Sequence, residues 1–131
     1  MNINATMISL PIKDVDETIQ YYFKYFHFQV SVVLPKENPN FILLSNGNNH
    51  LGFIKSEQSI ENNKETSINF DVNKIEEVYD KIKDDIQVTE PLSNPEPGRK
   101  EFSLLDCNGY KVTLGEYKAE QQKTKNDPED Q

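Results

Sequence analysis

The sequence predicts an α+β fold made of one unit written twice, each copy running strand, helix, then three strands. Three observations predict it. Two stretches, about 4–56 and 65–117, carry the same order of elements. Each holds one helical stripe of apolar residues spaced three and four apart, and the remaining hydrophobic segments alternate with period two, which marks half-buried strands.

In the first copy, Ala5 to Pro11 alternates, with Ile8 and Leu10 on one face and Met7 and Ser9 on the other. Asp14 with Glu17 three residues on is a capping-box arrangement, so a helix begins there. Val15, Ile19, Tyr22, Phe23 and Phe26 form its apolar stripe, and His27 ends it. Phe28 to Leu34 is β-branched and alternating, hence a strand; Pro35 to Pro39 is a loop. Phe41 to Leu44 makes a third strand, Asn46-Gly47-Asn48-Asn49 a turn, and His50 to Ile54 a fourth strand.

A polar linker, Ser56 to Lys64, offers no core residue except Ile60. Thr66 to Val72 then alternates as the first strand does. Asn73 with Glu76 reads as a second cap, and Ile75, Val78, Tyr79 and Ile82 as a second stripe. Ile86 to Val88 is a short strand, and Glu90 to Gly98, with three prolines and a glycine, a loop. Arg99 to Leu105 and Tyr110 to Gly115 form a hairpin closed by Asp106-Cys107-Asn108-Gly109. From Lys118 onward only Ala119 is apolar, so residues 118–131 are expected to be a disordered tail beyond a single domain over 1–117.

Composition excludes several roles. The formal charge is −8, from 14 basic and 22 acidic residues, which leaves no basic footprint for a nucleic-acid backbone. No apolar run approaches the ~18 residues that span a bilayer, and the N-terminus lacks the pattern of a signal peptide. With a lone Cys107, which cannot close an intrachain disulfide, a cytoplasmic location is expected. Cys107 sits beside Asp106, which opposes a thiolate and a nucleophilic role.

Asp14, Ile19, Tyr22, Phe23 and Phe28, Gly98-Arg99 ahead of Phe102, and the turn Asp106-Cys107-Asn108-Gly109-Tyr110 together resemble the glyoxalase, bleomycin-resistance and extradiol-dioxygenase superfamily, nearest in character to its metal-free bleomycin-resistance-like branch. Cys107 stands where the family usually has proline, and His27 where a glycine often ends the helix. The resemblance implies paired βαβββ modules whose mixed sheets curl around a shared concave cavity with helices on the outer face. It also implies a small-molecule ligand and a homodimer.

If Ile8, Leu10, Leu51, Phe53, Ile68, Phe70, Phe102, Leu104, Val112 and Leu114 face the helices, the alternate residues face the cavity. Those are Met7, Ser9, Gln29, Ser31, His50, Gly52, Ile54, Ser67, Asn69, Asp71, Glu101, Ser103, Lys111, Thr113 and Gly115. A solvated outer sheet face would look much the same; the resemblance favours a polar, ligand-binding concavity.

In metal-dependent relatives the resemblance places ligands at positions matching Met7, Gly52, Ser67 and Thr113. None of these offers an imidazole or carboxylate donor, so no catalytic metal and no cofactor is expected. Three functions follow as expectations. The first is metal-independent binding of a small molecule, with Asp71 and Glu101 suited to a cationic, antibiotic-like compound. The second is a metal-free lyase or isomerase with His50 as acid or base, oriented by Asp71 or Glu101. The third is an interaction or regulatory module with a vestigial cavity.

Overall fold

The computed structural model describes residues 1–57 and 63–118; the expected tail beyond Lys118 and the linker's Ile60 lie outside the described residues. The elements run β1 (Ser9–Ile12), α1 (Val15–Phe26), β2 (Gln29–Leu34), β3 (Phe41–Asn46), β4 (Asn49–Lys55), a 3-10 turn (Asn63–Glu65), β5 (Ser67–Asp71), α2 (Ile75–Ile82), β6 (Gln87–Glu96), β7 (Arg99–Leu105) and β8 (Lys111–Tyr117). Among the described residues they form two four-stranded mixed sheets, ordered β1-β4-β3-β2 and β5-β8-β7-β6. In each sheet the first strand lies parallel to the last and the others pair antiparallel. The predicted α+β fold of paired βαβββ modules is therefore present. The chain divides into two compact units, Met1–Glu61 and Asn62–Gln131, and each is described by itself.

In the first unit α1 begins as predicted: Asp14 Oδ1 accepts the Glu17 N–H at 2.9 Å. The helix buries Val15, Thr18, Tyr22 and Phe26, and the Tyr22 ring packs on Phe53 with centroids 5.3 Å apart. Ile12, Phe28, Ile42, Leu44 and Phe53 complete this core, each contributing roughly 1.5–3 kcal/mol by leaving water. Two expectations are corrected. Phe23 is exposed, because it lies one residue, or about 100°, around from Tyr22, at the flank of the stripe that Thr18 fills instead. The first strand starts at Ser9 rather than Ala5, since its pairing with β4 begins at Ser9 opposite Gly52; Ile8 falls outside it and is exposed.

A bulge in β2 resets the alternation. Val30 pairs with Leu44 but Val32 with Leu43, so Ser31 is the extra residue. Beyond it Val33 faces the core with Ile42, while Val32 and Leu34 turn to the other face.

In the second unit Ile68, Val112, Leu104 and Val88 form one cross-strand row, and Phe70, Leu114 and Phe102 another. Both rows belong to the helix-covered face, where Tyr79 meets Phe102 edge-on at 4.8 Å and α2 buries Ile75 and Ile82. The expected Asn73 and Glu76 cap is not the one used. Lys74 stands at the helix start with φ 56° and no side-chain cap, and Glu116, at the end of β8, accepts the Lys74 and Ile75 N–H groups at 3.0 Å each. A carboxylate at a helix N-terminus is doubly favoured there, by hydrogen bonding and by the helix dipole.

The proline-bearing stretch expected as a loop is instead part of β6, which runs on to Glu96 with three register shifts against β7. β6 is an edge strand, where Pro91 and Pro95 cost no inward ladder bond. The β7–β8 turn forms as predicted. Asp106 is buried and its Oδ1 accepts from the Asn108 and Tyr110 N–H groups, with Gly109 at φ 85°.

Candidate functional site

Each sheet has a face without a helix, and the predicted ligand-binding residues fall on these faces. On the first sheet Gln29, Ser45 and His50 share one cross-strand row. Ser31 Oγ donates to Ser45 Oγ at 2.6 Å, and Ser45 Oγ lies 2.7 Å from His50 Nδ1. The partner that orients His50 is thus Ser45 on the neighbouring strand. The next rows are different in kind: Ser9, Gly52, Leu43 and Val32, then Pro11, Ile54, Phe41 and Leu34. Val32, Leu34 and Ile54 are exposed. One end of this face therefore carries hydroxyls and an imidazole, and the other is apolar. The bulge at Ser31 brings Val32 and Leu34, rather than Val33, to this face beside Leu43, Phe41 and Ile54.

Met7 precedes β1 but still reaches this face. A Cβ placed on Gly52 would stand 3.1 Å from Met7 Sδ, Ser9 Oγ and the Ile8 carbonyl oxygen. Met7, Ser9 and Gly52 are thus one contact group, with the thioether lying over the glycine.

The second sheet's face is charged. Ser67 pairs with Lys111, while Asn69, Thr113 and Ser103 share one cross-strand row and Asp71, Gly115 and Glu101 another, with β8 in the middle. Ser103 Oγ and Thr113 Oγ1 are buried and 2.8 Å apart. Lys111 Nζ meets Glu90 Oε1 at 3.1 Å, and Lys111, helped by Ser103, lowers the Glu90 carboxyl below its ordinary pKa. Asn69 Nδ2 donates to Ser67 Oγ at 3.4 Å.

Arg99 joins this set unannounced. Its Nε donates to Glu101 Oε1 at 2.9 Å, its Nη1 lies 3.8 Å from Asp71 Oδ1, and its guanidinium sits 4.7 Å from the Tyr117 ring centroid. The hydrogen bond to Glu101 raises the Arg99 pKa further. A Cβ on Gly115 would collide with Arg99 Nη2, so glycine is what lets the guanidinium lie against β8. Period two, carried one step back from Glu101, reaches Arg99; that signal was in the sequence. Glu90 was not legible, because its segment reads as a loop.

Four positions match, on the family resemblance, those that carry ligands in metal-dependent relatives. Met7 and Gly52 are in contact, Ser67 stands opposite Lys111, and Thr113 Oγ1 is engaged by Ser103. A thioether, a bare α-carbon and two neutral hydroxyls do not fit a hard divalent cation, which needs carboxylate, imidazole or comparable donors. Among the described residues no group of three His, Cys, Asp or Glu side chains is arranged to hold one.

Comparison with known proteins assigns the family. A sequence model of the Glyoxalase/Bleomycin resistance protein/Dioxygenase superfamily matches residues 3–114. No curated protein matches the chain by sequence. Among solved structures, TioX from Micromonospora sp. ML1 is similar with a TM-score of 0.73 at 13% identity, over 87% of this chain and 99% of that one. A mutant of the genomically encoded fosfomycin resistance protein FosX from Listeria monocytogenes, complexed with Mn(II) and 1S,2S-dihydroxypropylphosphonic acid, gives 0.74 at 15% identity, over 93% and 98%. A putative glyoxalase family protein from Bacillus anthracis gives 0.68 at 18%, over 90% and 99%. At these identities the structural likenesses speak for the fold, and the family model for descent: the chain belongs to the Glyoxalase/Bleomycin resistance protein/Dioxygenase superfamily.

Proposed function

We propose that this protein is a metal-independent small-molecule binder that takes its ligand on the helix-free faces of its sheets. The observation that carries the reading is the Met7 thioether lying over Gly52, two positions where metal-dependent relatives would hold ligands. Binding needs apolar surface and a few placed polar groups, and these faces carry an apolar strip at Val32, Leu34 and Ile54 and charged groups around Asp71, Glu101 and Arg99. Asp71, Glu90 and Glu101 outnumber Arg99 and Lys111 on the second face, which supports a cationic, antibiotic-like ligand. The protein works in the cytoplasm as a homodimer on this reading, by analogy with its superfamily. Elemental analysis after purification without added metal is expected to find no stoichiometric divalent ion. Calorimetry against a panel of cationic antibiotics is expected to give saturable heat; stoichiometric metal, or silence across the panel at micromolar protein, would sink the proposal.

A second reading is favoured by one observation. The chain from Ser31 through Ser45 to His50 Nδ1 holds the imidazole in a defined hydrogen-bonded position, as acid or base chemistry without a metal requires. It predicts a turnover, on a substrate the binding panel identifies, that His50→Ala abolishes while the fold persists.

A further inference from the structure

Gly115 makes a notch in the helix-free face of the second sheet. Along β8 the neighbours on that face are Thr113 and Tyr117, two residues to either side. Across the strands the neighbours are Asp71 on β5 and Glu101 on β7, both in register with Gly115. A position with no Cβ is therefore walled by two carboxylates, an aromatic ring and a hydroxyl. Each wall suits one kind of guest. Carboxylates on opposite sides call for a cation, the ring adds attraction for a cation near its face, and a floor of bare backbone admits a flat group but not a tetrahedral one.

The notch already has a guest of that kind. Arg99, whose backbone pairs with Tyr117, sends its guanidinium over Gly115, donates from Nε to Glu101 and stands 4.7 Å from the Tyr117 ring centroid. The fit is one-sided. Nη1 is 3.8 Å from Asp71 Oδ1, longer than a hydrogen bond, and the Asp71 side chain is 90% exposed. The seat holds two negative charges against the single positive charge of Arg99.

We propose that the Gly115 notch is a recognition site for a planar guanidinium or amidinium cation, with Arg99 as its resident occupant, and that ligands of this class bind by displacing the Arg99 side chain. The proposal rests on the reading of this face as ligand-binding and narrows the ligand to one chemical class. Displacement requires no backbone movement, because what moves is the far end of a flexible side chain, and the incoming cation replaces the hydrogen bond that Arg99 gives up to Glu101. Tyr117 stays in place through its hydroxyl, which donates to Glu96 Oε1 at 2.6 Å.

The test measures benzamidinium binding by calorimetry to the full-length protein, to Arg99→Ala and to the double variant Arg99→Ala/Gly115→Ala. With the resident removed, Arg99→Ala is expected to bind benzamidinium at least tenfold more tightly than the wild type. Closing the floor with Gly115→Ala should return affinity to the wild-type level or below. The double variant keeps its fold, since the side chain that a Cβ at Gly115 would strike is gone, and circular dichroism checks this. Equal affinity of wild type and Arg99→Ala, or tight binding that survives Gly115→Ala, overturns the proposal. Metal content and the antibiotic panel test the broader binding function separately, so the two can fail independently.

Discussion

The Met7 sulfur occupies the space that a Gly52 side chain would need, 3.1 Å from where its Cβ would stand. Ser9 Oγ and the Ile8 carbonyl oxygen crowd the same point at the same distance, and the carbonyl, being backbone, cannot swing aside. Gly52→Ala is therefore expected to cost about 1–2 kcal/mol as an overpacking substitution, measured by urea denaturation. Pairing it with Met7→Ala should recover only part of the loss, because the Ile8 oxygen remains.

His27 ends α1 in the left-handed region, with φ 59° and its N–H bonded to the Tyr22 carbonyl. Glycine adopts that conformation without the Cβ clash, against the greater entropy it loses on folding. His27→Gly is expected to stabilise the protein by roughly 0.5 kcal/mol, read as a higher urea midpoint with an unchanged slope.

Glu116 alone takes two N–H groups at the start of α2. Glu116→Ala should cost about 1–2 kcal/mol, as lost caps do. Asn73→Ala, at the position where local sequence would place the cap, should change stability by less than about 0.5 kcal/mol. Equal effects from the two substitutions would contradict the capping described above.

Lys100 Nζ at 2.6 Å, with Lys118 Nζ at 3.1 Å, holds the Glu76 carboxyl down at about 2 from its ordinary 4.5. A depressed folded pKa gives stability that is complete above 4.5 and lost as pH falls through 2. The melting-temperature difference between wild type and Glu76→Gln is expected to be constant above pH 4.5 and to shrink below it. Because Glu76 is solvent-accessible, added salt should reduce the difference at every pH.

Ser45 links Ser31 to His50 Nδ1, and since Ser31 donates to Ser45, the Ser45 hydrogen is available to Nδ1. Nitrogen-15 spectra of the neutral imidazole are expected to show a hydrogen on Nε2 and none on Nδ1. Ser45→Ala should restore a mixture of tautomers, with stability within about 0.5 kcal/mol of wild type because the hydroxyl is near the surface.

Regular elements were legible wherever local chemistry agreed with the final pairing. The Asp14 cap, the end of α1 at His27 and the Asp106 turn are settled within a few residues of chain, and the sequence read them correctly. Errors arose where a distant residue intervened. The α2 cap comes from Glu116, about 40 residues away, and the prolines of β6 are tolerated only because that strand lies at an edge. The helix-free faces were legible by period two as far as His50, Glu101 and Thr113. Ser45 and Arg99 obey the same period, and the Ser31 bulge breaks it for Val32 and Leu34.

By itself the sequence determined the repeated βαβββ order, the helix-facing rows and the absence of strong donors at Met7, Gly52, Ser67 and Thr113, because periodicity and side-chain chemistry are local properties. Tertiary structure decided which groups meet: Met7 over Gly52, Ser45 against His50, Glu116 on α2 and Arg99 in the Gly115 notch. Those contacts depend on strand register, and a shift of a single residue would send each strand side chain to the opposite face.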